Sequence, residues 1–103
     1  MDQVTRALAV LFFTIVLSVH PASAQHTKKI LVEMTESKFV PETVSANVGD
    51  TVVFINMDAS PHTVTQALRS LDSGIVATNT AWLLKVDATG TFQFYCRFNP
   101  AMR

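Results

Sequence analysis

Residues 48–56 read Val48-Gly49-Asp50-Thr51-Val52-Val53-Phe54-Ile55-Asn56. Gly49-Asp50 is a turn signal, and the residues after it are rich in β-branched side chains, which fit a pleated, packed surface. The stretch predicts a strand over 51–56 of the kind that fills a sandwich core. Met57 to Pro61 then has a loop composition, with Asp58, Ser60 and Pro61, before His62-Thr63-Val64-Thr65 resumes β character. His62 is thereby placed at a loop-to-strand junction.

Working outward, Lys28 to Thr35 alternates apolar Ile30, Val32 and Met34 with other residues, which predicts a half-buried strand. Pro41 interrupts pairing after Phe39-Val40, and Val44, Ala46 and Val48 alternate again, predicting a second short strand over 44–48. From Gln66 to Asn79 the pattern weakens around the turn signal Asp72-Ser73-Gly74. Trp82, Leu84 and Val86 alternate into a further strand, and Asp87 to Gly90 turns the chain. Thr91 to Tyr95 alternates with Phe92 and Phe94 on one face, and Cys96 ends that strand. Trp82, Phe92 and Phe94 are expected in the core. Short strands with turns between them, and no sustained helical period, predict an all-β antiparallel sandwich rather than an α/β fold.

The first residues read differently. Arg6 precedes an apolar run from Ala7 to Val19, and Ala22-Ser23-Ala24 supplies the small-x-small pattern of a signal-peptidase site. The run is shorter than the roughly 20 residues that span a bilayer as a helix. The expected organisation is a signal peptide over 1–24, cleaved before Gln25, and one domain over 25–103, exported to the periplasm with no membrane span after cleavage. Acids and bases number eight each, and cleavage would remove one of each, Asp2 and Arg6. A near-neutral domain carries no signature of a nucleic-acid partner. The single Cys96 cannot form an internal disulfide, and a free thiol in an oxidising compartment needs burial or a bound partner.

His62, Cys96 and Met102 each lie at the end of a predicted strand or in the loop beyond it. Blue-copper centres use two imidazoles and one thiolate in a near-trigonal plane with a long axial thioether, and three of those four donors are present. Soft sulfur suits Cu(I) and imidazole suits both oxidation states. Steps of three residues from Cys96 to position 99 and on to Met102 let one tight loop present side chains inward.

In order and spacing, Phe39-Val40-Pro41, Val48 to Asn56, Ser60-Pro61-His62-Thr63-Val64 and Gly90 to Cys96 resemble the plastocyanin and amicyanin branch of the cupredoxin family. The resemblance covers nearly all of residues 25–103 and implies a Greek-key sandwich. It implies His62 as a histidine ligand, Cys96 as the thiolate and Met102 as the axial thioether. Thr63 would donate its amide toward the sulfur, Asn56 would brace the ligand loop, and Phe98, Pro100 and Ala101 would form an apolar rim through which electrons leave.

Two features depart from the family pattern. Cys96-Arg97-Phe98-Asn99-Pro100-Ala101-Met102 has Asn99 where the family has its second histidine, and an amide oxygen is a weak donor to copper. The family also continues after the methionine into a final apolar strand, so a missing strand and an exposed sheet edge are expected here. The resulting expectation is a type 1 copper electron-transfer protein and not an enzyme. It would hold one copper ion at a site weakened by Asn99, and it would exchange electrons with an unidentified redox partner protein. The alternative is a copper-free cupredoxin-like interaction domain or a remnant. A Cys96–His62 nucleophile pair is a further enzymatic alternative, for which the sequence offers no orienting third residue. His26, beside the expected mature terminus, is a minor candidate for the missing imidazole.

Overall fold

The computed structural model describes residues 26–103. The expected signal peptide and its cleavage site lie outside the described residues. Six strands form: β1 Lys29–Thr35, β2 Lys38–Val40, β3 Thr51–Asn56, β4 Thr65–Gln66, β5 Ala81–Lys85 and β6 Phe94–Tyr95. They make a four-stranded sheet in the order β2-β1-β3-β5 and a two-stranded sheet of β4 and β6. The only helical piece among the described residues is a 3-10 turn at Ala67–Arg69, so the all-β expectation holds.

β1 and β2 are joined through Glu36 and Ser37, both with positive φ, at 53° and 56°. Two such residues give a primed turn whose twist matches the strands it joins. β1 and β3 run parallel, from Lys29 opposite Thr51 to Met34 opposite Asn56, so the larger sheet is mixed rather than wholly antiparallel. Asp50 ties their shared start together, because its buried carboxylate accepts from the Lys28 N–H at 3.0 Å and the Asn47 N–H at 2.8 Å. Those two donors, Asn47 first, hold its carboxyl below the usual carboxylate range against the opposing effect of burial. Gly49 precedes it at φ 102°, a conformation that favours glycine, and its N–H donates to the Val86 carbonyl at 2.8 Å.

Alternation along β3 buries Val52, Phe54 and Asn56. Val32, Met34, Phe39, Val52, Phe54, Val64, Val76, Cys96 and Met102 form the buried apolar cluster. Phe54 is its aromatic hub, with ring centroids 6.1 Å from Phe39, 5.9 Å from Trp82 and 6.0 Å from Phe94.

Two sequence expectations fail. Residues 44–48 form no strand, and Val44 and Val48 are exposed along a cleft of about 830 Å³ floored by Phe39 and Phe54. Alternation supplies a face, but a strand also requires a partner edge, and none lies beside these residues among those described. The last strand is shorter than expected, starting only at Phe94. Phe92 is 46% exposed rather than in the core, with its ring folded over Gly90, where an added Cβ would meet it at 3.2 Å. Among the described residues β6 has β4 as its only sheet partner.

Candidate metal centre

Three chain segments meet where β3, the residues around His62 and the turn after β6 come together. Asn56, at the end of β3, is fully buried, and its amide nitrogen donates to the Ser60 carbonyl at 2.8 Å and the Val76 carbonyl at 2.9 Å. Its side-chain oxygen accepts from the Asp58 N–H at 2.8 Å. One side chain therefore fixes the shape of the 57–61 loop and attaches it to Val76, the bracing position expected for Asn56. His62 and Val76 then exchange main-chain hydrogen bonds of 3.2 and 2.8 Å, which aims the His62 side chain inward.

The buried His62 ring is gripped at both nitrogens. Nε2 lies 2.7 Å from Asp58 Oδ2, and Nδ1 lies 3.5 Å from Cys96 Sγ. Asp58 is itself held by the β1–β2 turn: the Glu36 N–H donates to its Oδ1 at 2.7 Å and the Ser37 N–H to its Oδ2 at 3.0 Å. The Ser37 bond is the leading cause that keeps the Asp58 carboxyl below the usual range, with His62 adding to it and burial opposing it. For His62, burial is the largest single influence and works against the charge. It is outweighed by the Asp58 hydrogen bond together with Cys96, so the ring titrates above an ordinary histidine. With Nε2–H committed to the carboxylate, the Nδ1 lone pair faces the sulfur.

Cys96 directly follows β6 and has no exposed surface. The Thr63 N–H donates to its Sγ at 3.4 Å, the contact expected of Thr63. Burial pushes the thiol up, but the Thr63 amide, His62 and the amides of Phe98 and Asn99 outweigh it and bring it below its usual value. Thr63 also accepts the Arg97 N–H on its Oγ1 at 2.8 Å, and Arg97 Nε donates to Asp72 at 2.8 Å, so the residue after Cys96 is anchored too.

The 96–102 turn closes on itself. The Asn99 N–H donates to the Cys96 carbonyl at 3.1 Å, the Met102 N–H to the Asn99 carbonyl at 2.8 Å, and the Cys96 N–H to the Met102 carbonyl at 3.0 Å. This returns Met102 to the buried cluster beside Cys96, at 2% exposure. Asn99 is half-buried, and Phe98, Pro100 and Ala101 are exposed around it as the expected apolar rim.

Of the four sequence candidates, His62, Cys96 and Met102 are brought into one buried neighbourhood, and Asn99 stands at its solvent side. Among the described residues no group of three or more His, Cys, Asp or Glu side chains is arranged to hold a metal. The set expected from the sequence has two such residues, His62 and Cys96, and Met102 would add a thioether. A 3.5 Å separation of Nδ1 and Sγ suits two donors to one ion, given metal–nitrogen and metal–sulfur bonds of about 2.0–2.3 Å. A thiolate, an imidazole and a thioether fit copper in both oxidation states. His26 is exposed at the start of the described residues and enters none of the contacts around Cys96. The sequence reading missed Asp58, whose spacing of four residues before His62, in a loop, was its one available signal.

Comparison with known proteins gives a consistent picture. The sequence profile described as a cupredoxin-like domain matches residues 7–103. The chain is similar to plastocyanin from Vicia faba, at 32% identity over 71 residues, covering 56% of this chain and 72% of that protein. It is also similar to amicyanin from Paracoccus denitrificans, at 29% identity over 79 residues, covering 72% of this chain and 60% of that one. Among solved structures, a methionine-to-alanine mutant of amicyanin in its Cu(I) form superposes with a TM-score of 0.68. Its identity is 28%, and the match covers 72% of this chain and 75% of that one. A reduced tryptophan-to-tyrosine mutant of amicyanin superposes with a TM-score of 0.67 at 30% identity, with the same coverage.

Proposed function

The chain belongs to the cupredoxin-like family, and from that premise we propose that it binds one copper ion through His62 Nδ1, Cys96 Sγ and Met102 and passes single electrons to and from a partner protein in the periplasm. The observation that carries this reading is the pairing of a buried, thiol-lowering environment at Cys96 with a histidine nitrogen 3.5 Å away. The bound ion would supply a one-electron Cu(I)/Cu(II) couple, with no substrate bond made or broken.

The protein's own contribution is restraint. Asp58 holds the His62 ring from behind, and Asn56 holds the loop that carries Asp58. The Thr63 amide and the closed 96–102 turn hold the sulfur. Donors fixed in this way resist rearrangement when the charge at the site changes, which favours rapid electron exchange. Phe98, Pro100 and Ala101 give the exposed apolar surface through which a partner approaches, flanked by the Arg97 guanidinium over the Phe98 ring and the Arg103 guanidinium on the Pro100 carbonyl. Export rests on the signal-like segment over residues 1–24.

Asp58, His62 and Cys96 also follow the order of an orienting acid, a base and a nucleophile. Burial of the sulfur weighs against attack on a substrate, because a carbonyl cannot reach Cys96 unless the 96–102 turn opens.

Copper stoichiometry tests the proposal. Protein isolated from a copper-replete periplasm should carry one copper per chain by native mass spectrometry, and Cys96→Ser and His62→Ala should each lose it. Folded wild-type protein without copper would sink the electron-transfer reading and favour the copper-free interaction domain that Asn99 suggests.

A further inference from the structure

The outward face of the four-stranded sheet is apolar where a solvated face is ordinarily polar. Inward positions of β1 and β3 carry Val32, Met34, Val52 and Phe54 into the core, and in a sheet packed on one side the alternate positions usually face water with polar side chains. Here the strand register aligns Leu31, Val53 and Leu83 in one outward row across β1, β3 and β5. The adjacent outward row runs Val40, Glu33, Ile55 and Ala81 across all four strands. Leu31, Leu83 and Val40 are 53%, 55% and 44% exposed. On the other side of the leucine row stand Lys29, Thr51 and Lys85. Among the described residues, neither Lys29 nor Glu33 has an ion-pair partner in its own chain.

We propose that this face is covered by the same face of a second copy, in a two-fold dimer whose strands run antiparallel across the interface. Stacked sheets lie about 10 Å apart with their strands nearly aligned, and a two-fold contact uses the same patch on both sides. Charge selects the direction. With the strands parallel, Lys29 and Lys85 would lie over their own counterparts. With the strands antiparallel and the axis crossing the leucine row, Leu31, Val53 and Leu83 pack on their counterparts, and each Lys29 lies opposite Glu33 of the second copy. The face spans four strands about 4.8 Å apart and the length of β1 at about 3.3 Å per residue, a footprint of about 400 Å² per copy. A stable interface uses about 800 Å² on each side, so this dimer is weak and forms reversibly as concentration rises. The candidate metal centre lies beyond the Asn56 end of β3. The antiparallel arrangement therefore puts the two centres at opposite ends of the dimer, with both 96–102 turns left free.

Sedimentation velocity of the folded protein at low salt, from about 10 µM to about 1 mM, tests the arrangement. The expected result is monomer at the low end and a growing dimer fraction at the high end. Leu83→Ser, Lys29→Glu and Glu33→Lys should each weaken association by about 10-fold or more, with urea midpoints close to wild type because all three positions face away from the core. Lys29→Glu and Glu33→Lys proteins mixed in equal amounts should regain the association, because every charge at the interface then meets its opposite. Native mass spectrometry identifies that mixed dimer by its mass. A protein that stays monomeric throughout, including one that binds lipid vesicles instead, overturns the proposal. So does a dimer that Leu83→Ser leaves as tight as wild type, and so does a mixture that associates no better than its separate components.

Discussion

Asp58→Ala removes the carboxylate that orients His62, and the structure sets what should follow. In the native chain Asp58 Oδ2 lies 2.7 Å from Nε2, and the Glu36 and Ser37 amides fix the carboxylate in turn. Removing a carboxylate partner of a metal-binding histidine costs about 10- to 100-fold in metal affinity, equivalent to about 1.4–2.7 kcal/mol. The two turn amides are on the exposed side and regain water, so the fold itself should lose only about 1 kcal/mol. Asp58→Asn separates charge from geometry. With its oxygen in the place of Oδ2 it leaves a neutral hydrogen bond to His62 of roughly half the strength, while its NH2 faces the Glu36 N–H on the exposed side, where both donors can turn to water, so its affinity should fall less than 10-fold. Competition against a chelator of known affinity measures all three proteins, and nitrogen NMR of the metal-free chain reads the His62 tautomer. The wild type should carry its proton on Nε2, and the alanine variant should populate both tautomers. An alanine variant with wild-type affinity and an unchanged tautomer would refute the positioning argument.

Other consequences follow from the same contacts. Asn56→Ala leaves buried loop groups without their partner and should cost about 2–3 kcal/mol in urea unfolding, with weaker copper binding because the 57–61 loop loosens. Phe54→Ala empties the aromatic hub and should cost about 3 kcal/mol, near the low end for such changes because the residue borders an open cleft. Asp50 has a lowered pKa in the fold, so its stabilising contribution is present above the unfolded value of about 3.9 and is lost as pH falls through the folded value. Asp50→Asn should therefore show a smaller loss of stability between neutral and acid pH than the wild type in parallel denaturant titrations.

The sequence carries the strands whose alternation coincides with a paired edge, and it misleads where the two separate. β3 and β1 follow directly from their apolar spacing, because each lies between or beside partners that use both its edges and its face. Val44, Ala46 and Val48 have the same spacing and no partner beside them among the described residues, so periodicity there describes an exposed segment. Phe92 and Phe94 are two residues apart, yet the extended pairing begins at Phe94 and the Phe92 ring turns back onto Gly90. The β1–β2 turn was hidden because Glu36 and Ser37 adopt positive φ without the glycine or asparagine that usually announces it. The burial of His62, Cys96 and Met102 near one another followed from their places at strand ends, and the Thr63 contact from the family resemblance. Asp58 was not readable, because its role depends on amides 21 and 22 residues away that only the folded hairpin brings to it.

The central claim is that Cys96 and His62 bind one copper ion together, and the most direct measurement of it is the visible spectrum of the folded domain titrated with Cu(II), beside Cys96→Ser. An intense thiolate-to-copper charge-transfer band should appear, saturate at one equivalent and be absent from the variant. Folded wild-type protein that stays spectrally silent, or a band that survives the loss of Cys96, would contradict it.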